Sequence, residues 1–222
     1  MIFFSKELVK KISATRLACL YFSVSPSPSS IKFKSFSEEI LEQIQTQYTM
    51  DMISQRAAIR ETKEAYRTLG KDPSRYRPSA EALSRRVVSG KGLYMINNVV
   101  DILNLISVES GFSIGGYDAE KIVGDVEFGI GAKDEPYQAI ARGALNIENL
   151  PIFRDDLSAF GSPTSDSQRT MVTDATEKFL MIIIDFNSND NLQIAIDRAV
   201  ELYRMFDVAS IIDSQVKHTK QG

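Results

Sequence analysis

The segment N-V-V-D-I-L-N-L-I-S-V-E-S-G-F-S-I-G-G-Y-D, residues 98–118, constrains the fold more than any other part of this chain. Asn98, Asp101 and Asn104 stand three residues apart, set among Val99, Val100, Ile102, Leu103, Leu105 and Ile106. At a helical period, positions three apart share a face. A helix that is apolar nearly all round is buried. Polar side chains on such a helix cost free energy unless each finds a partner. The segment therefore predicts a buried helix ending near Gly111. Its polar stripe either closes a structural network or lines a pocket.

Composition excludes several kinds of chemistry. His218 is the only histidine, and it lies in a polar stretch near the end of the chain. No Ser-His-Asp triad, Cys-His pair or multi-histidine metal site can be built from one chain, so no metal is expected. Cys19 is the only cysteine, which rules out an internal disulfide and fits a reducing compartment. Its apolar neighbours suggest a packed thiol. A net charge of −3 argues against a wide nucleic-acid surface but leaves room for a local basic patch. No apolar run reaches the roughly 18–20 residues that span a bilayer, and the start lacks the pattern of a signal peptide. A cytoplasmic location without membrane attachment is expected. The glycines lack a strand–GxGxxG–helix context, and GxxxxGK[ST] does not occur, so no cofactor is expected.

The 222 residues suit a single domain, 1–222. Residues 14–24 predict a buried strand and 25–30 a loop. Residues 37–47 predict a helix capped by Ser37, and 50–69 a helix ended by Gly70. Ser79 is expected to cap a helix to about Ser89. After Gly111 the pattern alternates, with Val126, Phe128 and Ile130 on one face. Strands are expected at 137–141, 152–154 and 179–186, the last one central. Residues 189–208 predict an amphipathic helix within a closing segment 187–212. A frayed polar tail is expected at 213–222. Mixed helices and mostly consecutive strands favour an α+β fold.

Two groups of residues could contact a ligand. Arg75, Arg77, Arg85, Arg86 and Lys91 form the densest basic cluster. Arg85 and Arg86 are adjacent, so on a helix they point about 100° apart, and only one is expected to face a common site. The cluster either solvates a helix paired to Glu81 or contacts phosphate or carboxylate, which arginine binds bidentately. The hydroxyl-rich loop 161–170 is a turn by composition, but Ser165, Asp166 and Arg169 could border a pocket.

Asn98, Val100, Asp101, Asn104, Gly111, Tyr117 and Asp118 fall on the pattern N-x-V-D-x-x-N…G…aromatic-D. This resembles the B3/B4 editing module of the bacterial phenylalanyl-tRNA synthetase β-subunit. R-Y-R-P-S-A-E-A-L, residues 75–83, looks like the preceding segment in free-standing proteins of that family. The resemblance covers roughly residues 72–186, with 1–71 as an N-terminal strand-and-helix portion. It implies a layered fold with a β-sandwich, or mixed sheet, of unusual topology flanked by helices. It also implies an RNA-associated domain that recognises or hydrolyses an aminoacyl-tRNA ester in trans. Asn104 would bond the aminoacyl group, braced by Asn98 and Asp101, with Gly115, Ser165 and Asp166 completing the substrate pocket. Arg75, Arg77, Arg85, Arg86 or Arg169 would contact the tRNA 3′ end or a carboxylate. By spacing, the family's histidine falls on Gly115, and its late glutamate falls near Ile182 or Asp185. No catalytic residue is therefore assigned. An active protein would be an aminoacyl-tRNA deacylase and not a complete synthetase. The alternative is a non-catalytic module for a small amino-acid-like ligand or a protein partner.

Overall fold

The run K-F-L-M-I-I-I-D is apolar on both faces, so it must be covered on both. A computed structural model, describing residues 1–219, shows how. The run forms a strand whose odd residues Phe179, Met181 and Ile183 join a core under the helices. Its even residues Leu180, Ile182 and Ile184 join a second core between two sheets. Side chains alternate across a strand, so one strand serves two cores.

In chain order the elements are β1 (Ile2–Phe4), α1 (Lys6–Lys11), β2 (Arg16–Val24), α2 (Ile31–Gln47), α3 (Met50–Ile53) and α4 (Ala57–Leu69). There follow α5 (Ser79–Val88), α6 (Asn98–Ser110), β3 (Ser113–Asp118), β4 (Val126–Ile130), β5 (Gln138–Ala139) and β6 (Gly143–Ala144). The chain continues with β7 (Pro151–Arg154), β8 (Ala159–Gly161), β9 (Lys178–Asp185), α7 (Leu192–Met205) and β10 (Ala209–His218). One sheet has the order β10-β2-β9-β3 and is antiparallel throughout. A second has the order β1-β4-β7-β8, with β1 and β4 parallel, and β5 and β6 form a separate two-stranded sheet. Phe128, Phe153, Phe160 and Tyr117 fill the space between the sheets. Helices α2, α6 and α7 contribute to the core on the outer face of the first sheet. The fold is α+β, in layers of helices, sheet and sheet.

Several boundaries differ from those expected. Helix α2 starts at Ile31, where Ser30 is the cap and accepts from the Phe33 amide at 3.1 Å. Ser37 is buried inside the helix and donates to the Lys34 carbonyl at 2.8 Å. The helix expected over 50–69 is broken at residues 54–56. Arg56 has extended backbone and sends its guanidinium to the Val108 and Glu109 carbonyls at the end of α6, both at 2.7 Å. Gly70 ends α4 at φ 90°, as a glycine cap does. Helix α5 is capped by Pro78, not Ser79, whose amide donates instead to the Pro163 carbonyl at 2.7 Å. The strand expected at 137–141 shrinks to Gln138–Ala139, and the closing helix to Leu192–Met205.

The largest correction concerns the end of the chain. Residues 213–218, expected as a frayed tail, and 209–212, expected within the closing segment, together form the edge strand β10, laddered along β2 from Ala209↔Val24 to His218↔Arg16. Its side chains are mostly exposed, which is why its composition is polar. Lys220, Gln221 and Gly222 lie outside the described residues. Cys19 is buried as expected, and burial pushes its thiol up to about 12, so it is no thiolate nucleophile at neutral pH.

Candidate functional site

Helix α6 carries its polar stripe in two distinct ways. Asn97, just before it, caps the Val100 amide at 3.0 Å. Asn98 is half-buried and exchanges bonds with Ser27, each at 3.0 Å, through its Oδ1 and Nδ2. Asp101 is buried, accepting the Ser29 hydroxyl at 2.5 Å and the Ile96 amide at 2.7 Å. Burial pushes its carboxyl up, and these bonds only partly offset that. These two residues therefore pin the loop 25–30 and the segment 91–97 to the helix. Neither lines the cavity that Asn104 faces, although both were expected in the substrate pocket. Asn104 is different: it is half-buried, makes no side-chain hydrogen bond among the described residues, and faces a cavity of about 970 Å³.

The cavity opens beside the free edge of β3. Leu103 and Asn104 of α6, Ile114 and Gly116 of β3, and Ser165 and Asp166 line its interior. Leu103 packs so closely on β3 that a Cβ at Gly116 would sit 2.6 Å from its Cδ1. Around the mouth stand Arg77, Arg85, Arg86, Lys91 and Arg142, with the exposed apolar residues Tyr94 and Ile96 between them.

Three buried tyrosines hold the loop 162–166 from beneath. The Tyr66 hydroxyl of α4 meets Thr164 Oγ1 at 2.9 Å. The Tyr137 hydroxyl donates to the Ser165 carbonyl at 2.7 Å, and the Tyr117 hydroxyl of β3 donates to Asp166 Oδ1 at 2.9 Å. Ser162 Oγ also donates to the Ser165 carbonyl, at 2.9 Å, and accepts from the Ser165 amide at 3.1 Å. A ligand thus meets a preformed loop and does not have to order one. Asp166 keeps some surface toward the cavity while its carboxyl end is enclosed. Burial raises that carboxyl to about 7, against the opposing bonds from Tyr117, the Gly116 amide and Ser162. Tyr117 and Tyr137 are themselves pushed up by burial first and by the Asp166 charge second, so both stay protonated at neutral pH.

The basic cluster is divided. Buried Glu81 engages Arg85 at 2.9 Å, Lys63 at 3.3 Å and Arg77 at 3.8 Å. Both Arg85 and Arg86 line the cavity, contrary to the expectation that only one would, since side chains about 100° apart on a helix can both border one broad cavity. The Arg86 guanidinium lies over the Tyr94 ring, 3.8 Å from its centroid, and donates to the Tyr94 hydroxyl at 3.1 Å. Among the described residues, Arg86, Lys91 and Arg142 have no carboxylate partner, which leaves a local positive surplus at the mouth.

Other expected site residues fall elsewhere. Arg75 does not line the cavity and lies near the Tyr76 ring. Arg169 is held by Asp155 at 2.8 Å and by the Lys121 carbonyl at 2.9 Å, away from the cavity. Gly115 faces the space between the sheets, because its strand neighbour Gly116 takes the cavity side. Ile182 is buried between the sheets, and Asp185 is buried against Arg16 at 2.7 Å, so neither supplies a late carboxylate to the cavity. Sequence reasoning gave no site role to Tyr66, Tyr137 or Arg142, and Tyr117 entered it only as the aromatic of the pattern that ends at Asp118.

Among the described residues there is no cluster of metal-ligating side chains and no helix long and apolar enough to cross a membrane. No curated protein matches the chain in sequence. An N-terminal fragment of the phenylalanyl-tRNA synthetase β-subunit from Pyrococcus horikoshii is similar in structure, with a TM-score of 0.48 and 12% identity. The alignment covers 95% of this chain and 50% of that one, so this chain spans about half the length of the fragment. Residues 61–210 match the B3/4 domain family, and the chain belongs to that family.

Proposed function

We propose that the cavity receives the aminoacyl end of a charged tRNA, presented in trans, and that the protein recognises or hydrolyses the aminoacyl ester. The observation that carries this reading is the free amide of Asn104, which can donate and accept inside a cavity of about 970 Å³ with a cationic mouth. That volume is in the range of small-ligand sites. The surplus of Arg86, Lys91 and Arg142 suits phosphates at the mouth, while the apolar interior and the loop 162–166 suit an aminoacyl group. The overall charge of −3 restricts such contact to a local patch. A non-catalytic binding role is the second reading. It is favoured by Gly115, which faces away from the cavity, and by the burial of Ile182 and Asp185 elsewhere.

The test is a deacylation screen over mischarged tRNAs, run beside calorimetric titration with aminoacyl-adenosine amides that cannot hydrolyse. Binding of an amide, weakened by Asn104→Ala and by Arg86→Ala, supports the site. Turnover of a mischarged tRNA would then assign hydrolysis, whereas binding without turnover would favour the second reading. A chain that neither binds any amide nor deacylates any tRNA would sink the proposal.

A further inference from the structure

We infer that Asp166 is the group that takes the α-ammonium of the ligand, so that the cavity selects molecules with a free primary amine beside an esterified or amidated carboxyl. This inference rests on the aminoacyl-site reading and adds to it what the cavity selects.

The charged side chains that line the cavity do not pair with one another. Asp166 is an enclosed carboxylic acid that accepts from Tyr117 at Oδ1, 2.9 Å, and from the Gly116 amide at Oδ2, 3.3 Å, with the Ser162 backbone amide also directed at it. An ionised carboxylate has about four acceptor sites, so these bonds do not exhaust it. Five cationic residues line the same cavity, yet none pairs with Asp166. Arg85 is drawn to Glu81, and Arg86 is stacked on Tyr94. The molecule thus lines one cavity with cations and with an acid that none of them pairs.

That distribution matches an aminoacyl group joined to a nucleotide, cationic at its amine and anionic farther along. An ammonium carries three donors and a full charge. A hydroxyl could fill an open acceptor site but would not offset an enclosed negative charge. One carboxylate without further ligating side chains is a poor metal site, and the described residues hold no metal-ligating cluster. The acid is also built in place. The Tyr117 hydroxyl reaches it by passing between Gly115 and Gly161, where an added Cβ would sit 2.0 and 2.1 Å from that hydroxyl.

The experiment uses the full chain near pH 7, where an α-amino group of about 7.7–8.0 is mostly protonated. A panel of aminoacyl-3′-amino-3′-deoxyadenosines is titrated calorimetrically, each beside its N-acetyl and desamino counterparts. Parent and Asp166→Asn are compared after melting curves confirm that both are folded. We expect the amine to improve binding to the parent by about 10- to 100-fold, the range of a charge-assisted hydrogen bond. Asp166→Asn should remove that preference while retaining weak binding of the desamino compound. Binding should also release protons, seen as a dependence of the heat on buffer ionisation. Equal binding of amine and desamino compounds by the parent would overturn the ammonium role and leave the aminoacyl site standing. Unchanged amine preference in the variant, with loss of tRNA deacylation alone, would also overturn it and make Asp166 a proton acceptor. Failure of every compound to bind would remove both readings.

Discussion

Replacing Asp166 by asparagine should make the protein more stable at neutral pH and leave it little changed in mild acid. In the folded chain the Asp166 carboxyl is raised from 3.8 to about 7, chiefly by burial. Between those values the folded state holds a proton that the unfolded state has released. Stability must then fall as pH rises, by about 1.4 kcal/mol per pH unit, until the fall ends near the folded value. The full span amounts to about 4 kcal/mol, and water in the cavity screens part of it, so about 2–4 kcal/mol is expected. Tyr117 from β3 and Tyr137 from the segment before β5 face this carboxyl, and burial keeps both protonated over the range. The asparagine of the variant would still accept the Tyr117 hydroxyl through its amide oxygen. Asp101 is raised too, but it is common to both proteins and cancels in the difference. The assay is urea unfolding of parent and Asp166→Asn at intervals from pH 4.5 to 8.5, compared as a difference at each pH. That difference should grow in favour of the variant up to about pH 7 and then level off. A flat difference, or a variant less stable at pH 8, would refute the claim that the acid is enclosed and unpaired.

Asn104→Ala should change stability by less than about 0.5 kcal/mol, because no protein partner is stranded, and a loss of 1–3 kcal/mol in denaturant melts would show that the amide is bonded internally. Gly115→Ala and Gly161→Ala should each cost about 1–3 kcal/mol by crowding Tyr117, and an unmoved urea midpoint would mean that the ring shifts freely. Hydrolysis of tyrosyl-tRNA specific for phenylalanine should be slow or undetectable in a deacylation assay. Robust turnover abolished by Asn104→Ala would show that a histidine at Gly115 is dispensable.

The legible parts of this fold are those whose burial is written in local periodicity. Helix α6 and strand β9 were readable because each must be buried nearly all round, and only a layered core does that. Strand β10 was not readable. Asp213, Ser214 and Gln215 are exposed, so their polarity resembles a tail, and only the β2 ladder makes them a strand. Helix α2 starts earlier than expected because Ile31 is 83% exposed and marks no apolar face in the first turn. The break at Arg56 is a tertiary event, since its cause is the exposed carbonyl end of α6. At the site, Asn104 was legible as a polar residue on an apolar helix. Its supports were not, because Tyr66, Tyr117 and Tyr137 converge from three separate elements.

Gly115 shows where alignment by spacing and geometry part. The position that would carry the family's histidine belongs to the strand face turned toward the second sheet. The space its side chain would need is taken by the Tyr117 hydroxyl, 2.0 Å from an ideal Cβ. The residue of β3 that does face the cavity is Gly116, and Leu103 closes that position at 2.6 Å. Neither position can present an imidazole to a ligand without displacing a packed neighbour. Strand β3 contributes instead a backbone amide and a tyrosine hydroxyl, and both are directed at Asp166. Polar chemistry inside this cavity therefore comes from α6, through Asn104, and from the loop 162–166. The polar side chains that the proposed site offers a ligand thus lie on a helix and a loop, and the strand only holds the loop acid in place.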